Sequence, residues 1–176
     1  MLEFAKIVVF ATLAAMIYGI LHDQVTAHVC VEYFTVAHPP VFPTESPFWL
    51  AVGWGIIATW WVGLPLGLGL ALAARVGQKA PLSLRELRPR IIALMAFSGA
   101  CALAAGLAGL VVSGINPAAA IGIWTEVISI EKWNSFGFDL WAHSASYFTG
   151  FVGGVVLIIE TFLRRRKMEL APGFET

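Results

Sequence analysis

Four apolar blocks of near membrane-spanning length divide this chain, at about residues 4–21, 47–74, 91–113 and 140–163. A helix needs about 20 predominantly apolar residues to cross a bilayer. Little charge offsets them: charged residues are 12% and hydrophobic residues 59% of the 176, and mean hydropathy is +0.80. Soluble proteins carry roughly twice that charged share, about 25%, so a soluble fold of this size could not cover its surface. The expected fold class is an all-α membrane protein. It has four transmembrane helices in a bundle, forms one integral membrane domain over residues 1–176, and ends in a tail at 164–176. The first block is short enough to imitate a secretory signal. Its leading segment MLEFAK sets Glu3 against Lys6, and no small-x-small cleavage site precedes His22, so an uncleaved anchor is expected.

Charge placement predicts the orientation. Lys6 precedes the first span; Arg75, Lys79, Arg85, Arg88 and Arg90 join spans two and three; Arg164, Arg165, Arg166 and Lys167 follow span four. Ten of the eleven basic residues therefore share one side, and only Lys132 lies on the other. That other side carries Asp23, Glu32, Glu45, Glu126, Glu131 and Asp139. Positive charge marks the cytoplasmic side. The expectation is a multi-pass protein of a bacterial inner membrane with both termini cytoplasmic and residues 22–46 and 114–138 outside.

Punctuation subdivides the connections. Pro39, Pro40 and Pro43 exclude a regular helix in the first loop, and Ser46-Pro47 sets an N-cap and first helical residue for span two. Trp49 and Trp54 are expected near the outer interface. Thr59-Trp60-Trp61 followed by GLPLG (63–67) predicts a bulky midsection and then a kink. SLRE (83–86) reads as a capping box opening a short interfacial helix, with Pro89 starting span three. Asn116-Pro117 opens a short helix in the third connection, which with the first loop should form a polar outer cap. Ala102/Gly106, Ala105/Gly109 and Gly150/Gly154 place small residues one turn apart, as close helix packing or self-association requires. No internal repeat supports an inverted-repeat transporter.

The reactive side chains concentrate in HDQVTAHVCVEYFTVAHPP, residues 22–40, which holds three of the four histidines. The fourth, His143, follows Asp139 by one helical turn, and Tyr147 and Gly150 continue that face. As a strand, residues 25–32 set Thr26, His28, Cys30 and Glu32 on one side. As a helix continuing span one, they pair His28 with Glu32. Imidazole and carboxylate donors suit zinc, non-haem iron, manganese or copper. The candidate metal ligands are His22, Glu32, His38 and His143, with Asp23 and Asp139 orienting imidazoles from behind. A purely structural reading competes: His22-Asp23 capping span one, His38 in a turn, and Asp139–His143 as a satisfied buried pair. Cys30 and Cys101 lie at different depths and should not pair. Glu160 should bridge to Arg164. Phosphate-loop, dinucleotide and nucleophile-elbow patterns are absent, and no partner role for nucleic acid is expected. A haem lacks suitably placed axial ligands.

His22-Asp23-Gln24, Thr26, Cys30, Glu32-Tyr33-Phe34-Thr35 and His38-Pro39 together resemble an H-D-Q-x-T-x-x-x-C-x-E-Y-F-T-x-x-H-P loop of uncharacterised bacterial proteins with four predicted spans. The resemblance covers about a tenth of the chain and carries no activity. It leaves His28 outside the pattern, ranking it below His22, Glu32 and His38. The leading functional expectation is an outer-face site for a metal ion or small ligand. The alternatives are an accessory or assembly subunit associating with other membrane subunits, and a small transporter acting as an oligomer.

Overall fold

A computed structural model of the chain describes residues 1–169. Its helices are α1 (Leu2–Val29), α2 (Val31–Thr35), α3 (Pro47–Ile57), α4 (Trp60–Arg75), α5 (Leu84–Ile115), α6 (Pro117–Ile121) and α7 (Trp133–Glu169), with 3₁₀ turns at Gly122–Glu126 and Ile130–Lys132. Among the described residues there is no strand. Four stretches are long and apolar enough to span a membrane: Leu2–Val29, Pro47–Arg75, Leu84–Ile115 and Ile130–Lys167. The chain is an all-α bundle of four such helices. α5 packs most extensively on α7, and α1 on α3 and α4.

Every span outruns the apolar block that predicts it. α1 carries on through His22 and Asp23 to Val29, so the helical reading of the 25–32 segment is the one realised up to Cys30. There the backbone turns extended, at φ −148°, and the short α2 follows. The capping box at Ser83 and Glu86 forms as expected, but it opens α5 itself rather than a separate interfacial helix. Pro89, expected to start span three, lies inside that helix in its second turn, where it removes the i→i−4 hydrogen bond to the Arg85 carbonyl. Asn116 caps α6 by accepting from the Ala119 amide at 3.2 Å.

Span two breaks at Ala58–Thr59, one step before the tryptophan pair, while Pro65 is carried inside α4. Thr59 Oγ1 donates to the Gly55 carbonyl at 2.6 Å, re-satisfying a group at the break.

Close helix approach explains much of the small-residue content. A Cβ on Gly55 would sit 2.5 Å from the Ile20 amide nitrogen, and one on Gly19 2.6 Å from the Gly55 carbonyl oxygen. α1 and α3 therefore touch backbone to backbone. Ala102, Gly106 and Gly109 form the buried stripe of α5, where they meet Phe138, Gly137 and Trp141 of α7.

The two ends of the bundle have separate apolar cores. At the end bearing the loops 30–46 and 116–132, Cys30, Phe34, Leu50, Ala51, Ile121 and Phe136 gather beneath a cap. Trp54 joins that core instead of lining an interface, whereas Trp49 is exposed. Trp133 and Trp141 donate to the Ile128 and Ala120 carbonyls, both at 2.9 Å, and tie the cap to α7. At the basic end, Ile7, Leu70, Leu82, Leu87 and Leu157 form a second core.

Arg165 seals that basic end. Its guanidinium donates to the carbonyls of Ala73 (2.7 Å), Val76 (3.0 Å), Lys79 (2.7 Å) and Ala80 (3.0 Å), at the C-terminus of α4 and just beyond. Glu160 pairs with Arg90 of α5, not with Arg164, so it joins two spans rather than staying within one. Of the expected tail 164–176, residues 164–169 continue α7 and residues 170–176 lie outside the described residues.

Candidate metal centre

Polar side chains collect between the two apolar cores. Helix periodicity aligns Tyr18, His22 and Thr26 along α1, each four residues from the last, with Asp23 beside them. On α7 the same spacing aligns Asp139, His143 and Tyr147. The two stripes face one another.

His22, Asp23 and His143 each bring one donor atom, and all three atoms lie within 4.8 Å of one another. His143 Nε2 is 3.1 Å from Thr26 Oγ1 and 3.9 Å from Asp23 Oδ1. The Thr26 hydroxyl itself donates to the His22 carbonyl at 3.3 Å. Its lone pairs therefore remain to accept from His143 Nε2–H. The two imidazoles meet edge to face with centroids 4.6 Å apart. Tyr33 stacks on His143 at 4.4 Å and Tyr18 on His22 at 5.9 Å, which fixes both rings. The buried Nε2 of His22 has no hydrogen-bond partner.

Asp139 is fully buried, and neither carboxyl oxygen has a hydrogen-bond partner among the described residues. It is thus not the satisfied partner of His143 that a structural reading requires. A buried polar group left unpaired costs on the order of 1–3 kcal/mol, more if charged. One turn of helix places this one immediately above the triad.

The other sequence-derived candidates sit elsewhere. The extended residue Cys30 separates α2 from α1; Tyr33 and Phe34 of α2 pack on the His143 ring, while Glu32 and His38 take other partners. Glu32 meets Lys132 at 3.1 Å and accepts from the Cys30 thiol at 3.4 Å. Burial works against its ionised form, yet its own backbone amide, Lys132 and Cys30 outweigh this and hold the carboxyl below the usual range. His38 is occupied by a 2.7 Å contact from Nδ1 to the Tyr33 carbonyl and by rings of Phe34 and Trp54. His28 caps backward onto the Gln24 carbonyl. Cys30 and Cys101 are both free, and burial pushes the Cys30 thiol up to about 11.

A cavity of about 70 Å³ opens on the triad. Tyr18 and Ser146, joined by a 2.9 Å hydrogen bond between hydroxyls, stand at its polar end. The broken segment of span two, with Ala58 and Thr59, supplies one wall. Irregular backbone at membrane depth is tolerated where it lines a cavity, and this break does so. Sequence reasoning passed over Tyr18, although its spacing of four from His22 mirrors that of Tyr147 from His143.

Chemically, two imidazoles and a carboxylate at one end of a small cavity can hold a divalent ion and leave coordination positions free. Donor separations of up to 4.8 Å exceed the roughly 3–3.5 Å between neighbouring ligands at bond lengths near 2.0–2.2 Å. A bound ion would draw the three side chains inward by about 1 Å and take up the imidazole lone pairs, a proton on a metal-facing nitrogen moving to the other ring nitrogen. No protein-family model, no curated protein and no solved structure matches this chain.

Proposed function

We propose that this chain is a metal-binding protein of a bacterial inner membrane, holding one divalent transition-metal ion through His22, Asp23 and His143. The observation that carries the reading is the convergence of three donor atoms from two helices within 4.8 Å, beside an imidazole nitrogen that has no partner. Ionisable groups inside a spanning helix are expensive, and their presence is a functional signal in its own right. Asp139, one turn from His143, is positioned to compensate the charge of a bound cation. His, His and carboxylate together favour zinc, iron, manganese or copper over calcium or magnesium.

The metal end faces the outside of the cytoplasmic membrane in this reading. Its support is the clustering of Lys6, Arg75 to Arg90 and Arg164 to Lys167 at the opposite end. Single-cysteine labelling with a membrane-impermeant maleimide checks the orientation. A cysteine replacing Glu45 should label in intact spheroplasts, and one replacing Lys79 only after lysis; the reverse pattern inverts the topology.

Elemental analysis of protein purified in detergent without chelator tests the site. The expected result is about one transition-metal ion per chain in the wild type and loss of it in both His22→Ala and His143→Ala. Retention of metal by both variants removes the proposed site.

A further inference from the structure

The cavity beside the triad is small, walled mainly by apolar groups and open sideways. Ala15, Val62, Leu66, Met95, Gly150 and Phe151 are among its lining residues. At its mouth Tyr147 and Phe151, one turn apart on α7, are 44% and 57% exposed. Phe151 is the midpoint of α7 and lies roughly 12 Å along the axis from His143, at about 1.5 Å per residue. The mouth thus opens on the hydrocarbon layer, not on the capped end, where Tyr33, Phe34 and Phe136 are packed over the site.

Size then selects the occupant. A water molecule's share of liquid is about 30 Å³, and an apolar cavity of about 150 Å³ accepts a benzene ring. The 70 Å³ here is too small for an aromatic ring or a lipid chain. It suits one or two molecules of two heavy atoms. An apolar wall disfavours ions and strongly hydrated ligands, whereas uncharged diatomic gases dissolve readily in hydrocarbon.

We propose that this cavity conducts a diatomic gas of the dioxygen class from the bilayer to a free coordination position on iron(II) held by His22, Asp23 and His143. The inference rests on the metal site proposed above and adds its ligand, its route and its metal. A two-histidine, one-carboxylate set with open positions is the ligand arrangement of non-haem iron(II) centres that bind dioxygen. Gas binding here is coordination to the open position, with Tyr18 and Ser146 supplying hydroxyls beside it.

Nitric oxide is the probe, because its adduct with non-haem iron(II) has a distinctive spin-3/2 electron paramagnetic resonance signal. Protein in lipid nanodiscs is loaded anaerobically with iron(II), freed of excess metal, assayed for iron and exposed to nitric oxide. The wild type should give the nitrosyl signal in proportion to bound iron. Gly150→Leu should fill the cavity, because a Cβ there meets nothing closer than Ser98 Oγ at 4.0 Å. It should keep its iron but lose the signal or form it severalfold more slowly. Phe151→Ala, at the exposed mouth, should form it at least as fast as the wild type. Bound iron with no nitrosyl signal overturns this inference and leaves the metal site standing. Equal rates in the wild type and a folded, iron-loaded Gly150→Leu overturn the lateral route. Failure to take up iron, with another metal retained, overturns the assignment to iron and gas; failure to take up any metal removes the underlying site as well.

Discussion

The two ends of this bundle treat buried ionisable groups in opposite ways, although the Thr161 hydroxyl one turn before Arg165 is also buried without a partner among the described residues. At the basic end Arg165 is 3% exposed, yet its guanidinium finds four backbone carbonyls. At the other end His22 Nε2 and both oxygens of Asp139 are buried and partnerless. Both arrangements lie in a chain with few charges to spare. A side chain kept for the fold is expected to be saturated with partners, as Arg165 is. Groups left unsatisfied at a buried site lower stability unless something else binds there. The contrast separates a structural clip from the polar cluster proposed above to hold an ion.

The largest effect that could break the contrast belongs to Arg165. Arg165→Ala leaves four carbonyls without their donor, at about 1–3 kcal/mol for each that stays buried and unpaired, read as a large fall in the thermal unfolding midpoint in detergent. Arg165→Lys should recover only part of it, since an ammonium cannot reproduce the planar fork. A midpoint within error of the wild type for Arg165→Ala would erase the distinction from the basic side.

Metal supplies the next largest effect, at the other end. An ion at 100 times its dissociation constant should stabilise the wild type by about 2.7 kcal/mol. His143→Ala should show no such gain. Equal stabilisation of both proteins would mean that the ion binds elsewhere.

Asp139 sharpens the comparison in the opposite direction. In metal-free protein Asp139→Asn keeps shape and removes a buried ionisable group, so stability should hold or rise by up to about 1 kcal/mol. The same variant should bind metal more weakly, by about 10–100-fold. A stability loss on the scale of Arg165→Ala would make Asp139 a structural residue after all.

The smallest effect comes from the cap. Glu32 and Lys132 are partly exposed, so Lys132→Ala should barely move the thermal unfolding midpoint. The Glu32 carboxyl is held below its ordinary value of 4.5 in the folded chain. Its contribution is therefore present above pH 4.5 and fades as pH falls below that value. Lys132→Ala should reduce that acid-side loss, which unfolding curves between pH 3 and 6, a window set at roughly 1.5 units around that value, can resolve. Cys30, with its thiol raised to about 11, should alkylate slowly at neutral pH in folded protein and rapidly once unfolded.

Much of the architecture was legible because bilayer thickness imposes a length on every span. The four blocks appear in both readings, as do the Ser83–Glu86 box and the Asn116 cap, which depend on local chemistry alone. Helix ends were less so. Residues 22–29 satisfy both a two-residue and a helical period, and packing of α1 against α3 and α7 decides between them. The break at Ala58–Thr59 has no local breaker, while Pro65, the obvious one, is absorbed. Arg165 stands in a run of four basic residues that charge patterning treats alike. Only the fold shows which one turns inward.

The site was partly legible for the same reason. His22 and His143 were visible as candidate ligands at the end of span one and the start of span four, and Asp23 was assigned the orienting role although it lies among the converging donors. Glu32 and His38 share the same short loop, but the break at Cys30 sends them to Lys132 and to the Tyr33 carbonyl. That break is one residue long and contains neither glycine nor proline, so nothing local announced it.

X-ray absorption at the edge of the metal that co-purifies tests the central claim most directly. The account predicts a first shell of nitrogen and oxygen at about 2.0–2.2 Å with the multiple-scattering pattern of two imidazoles, reduced to one imidazole in His143→Ala. A shell without imidazole, or an unchanged spectrum in that variant, would contradict it.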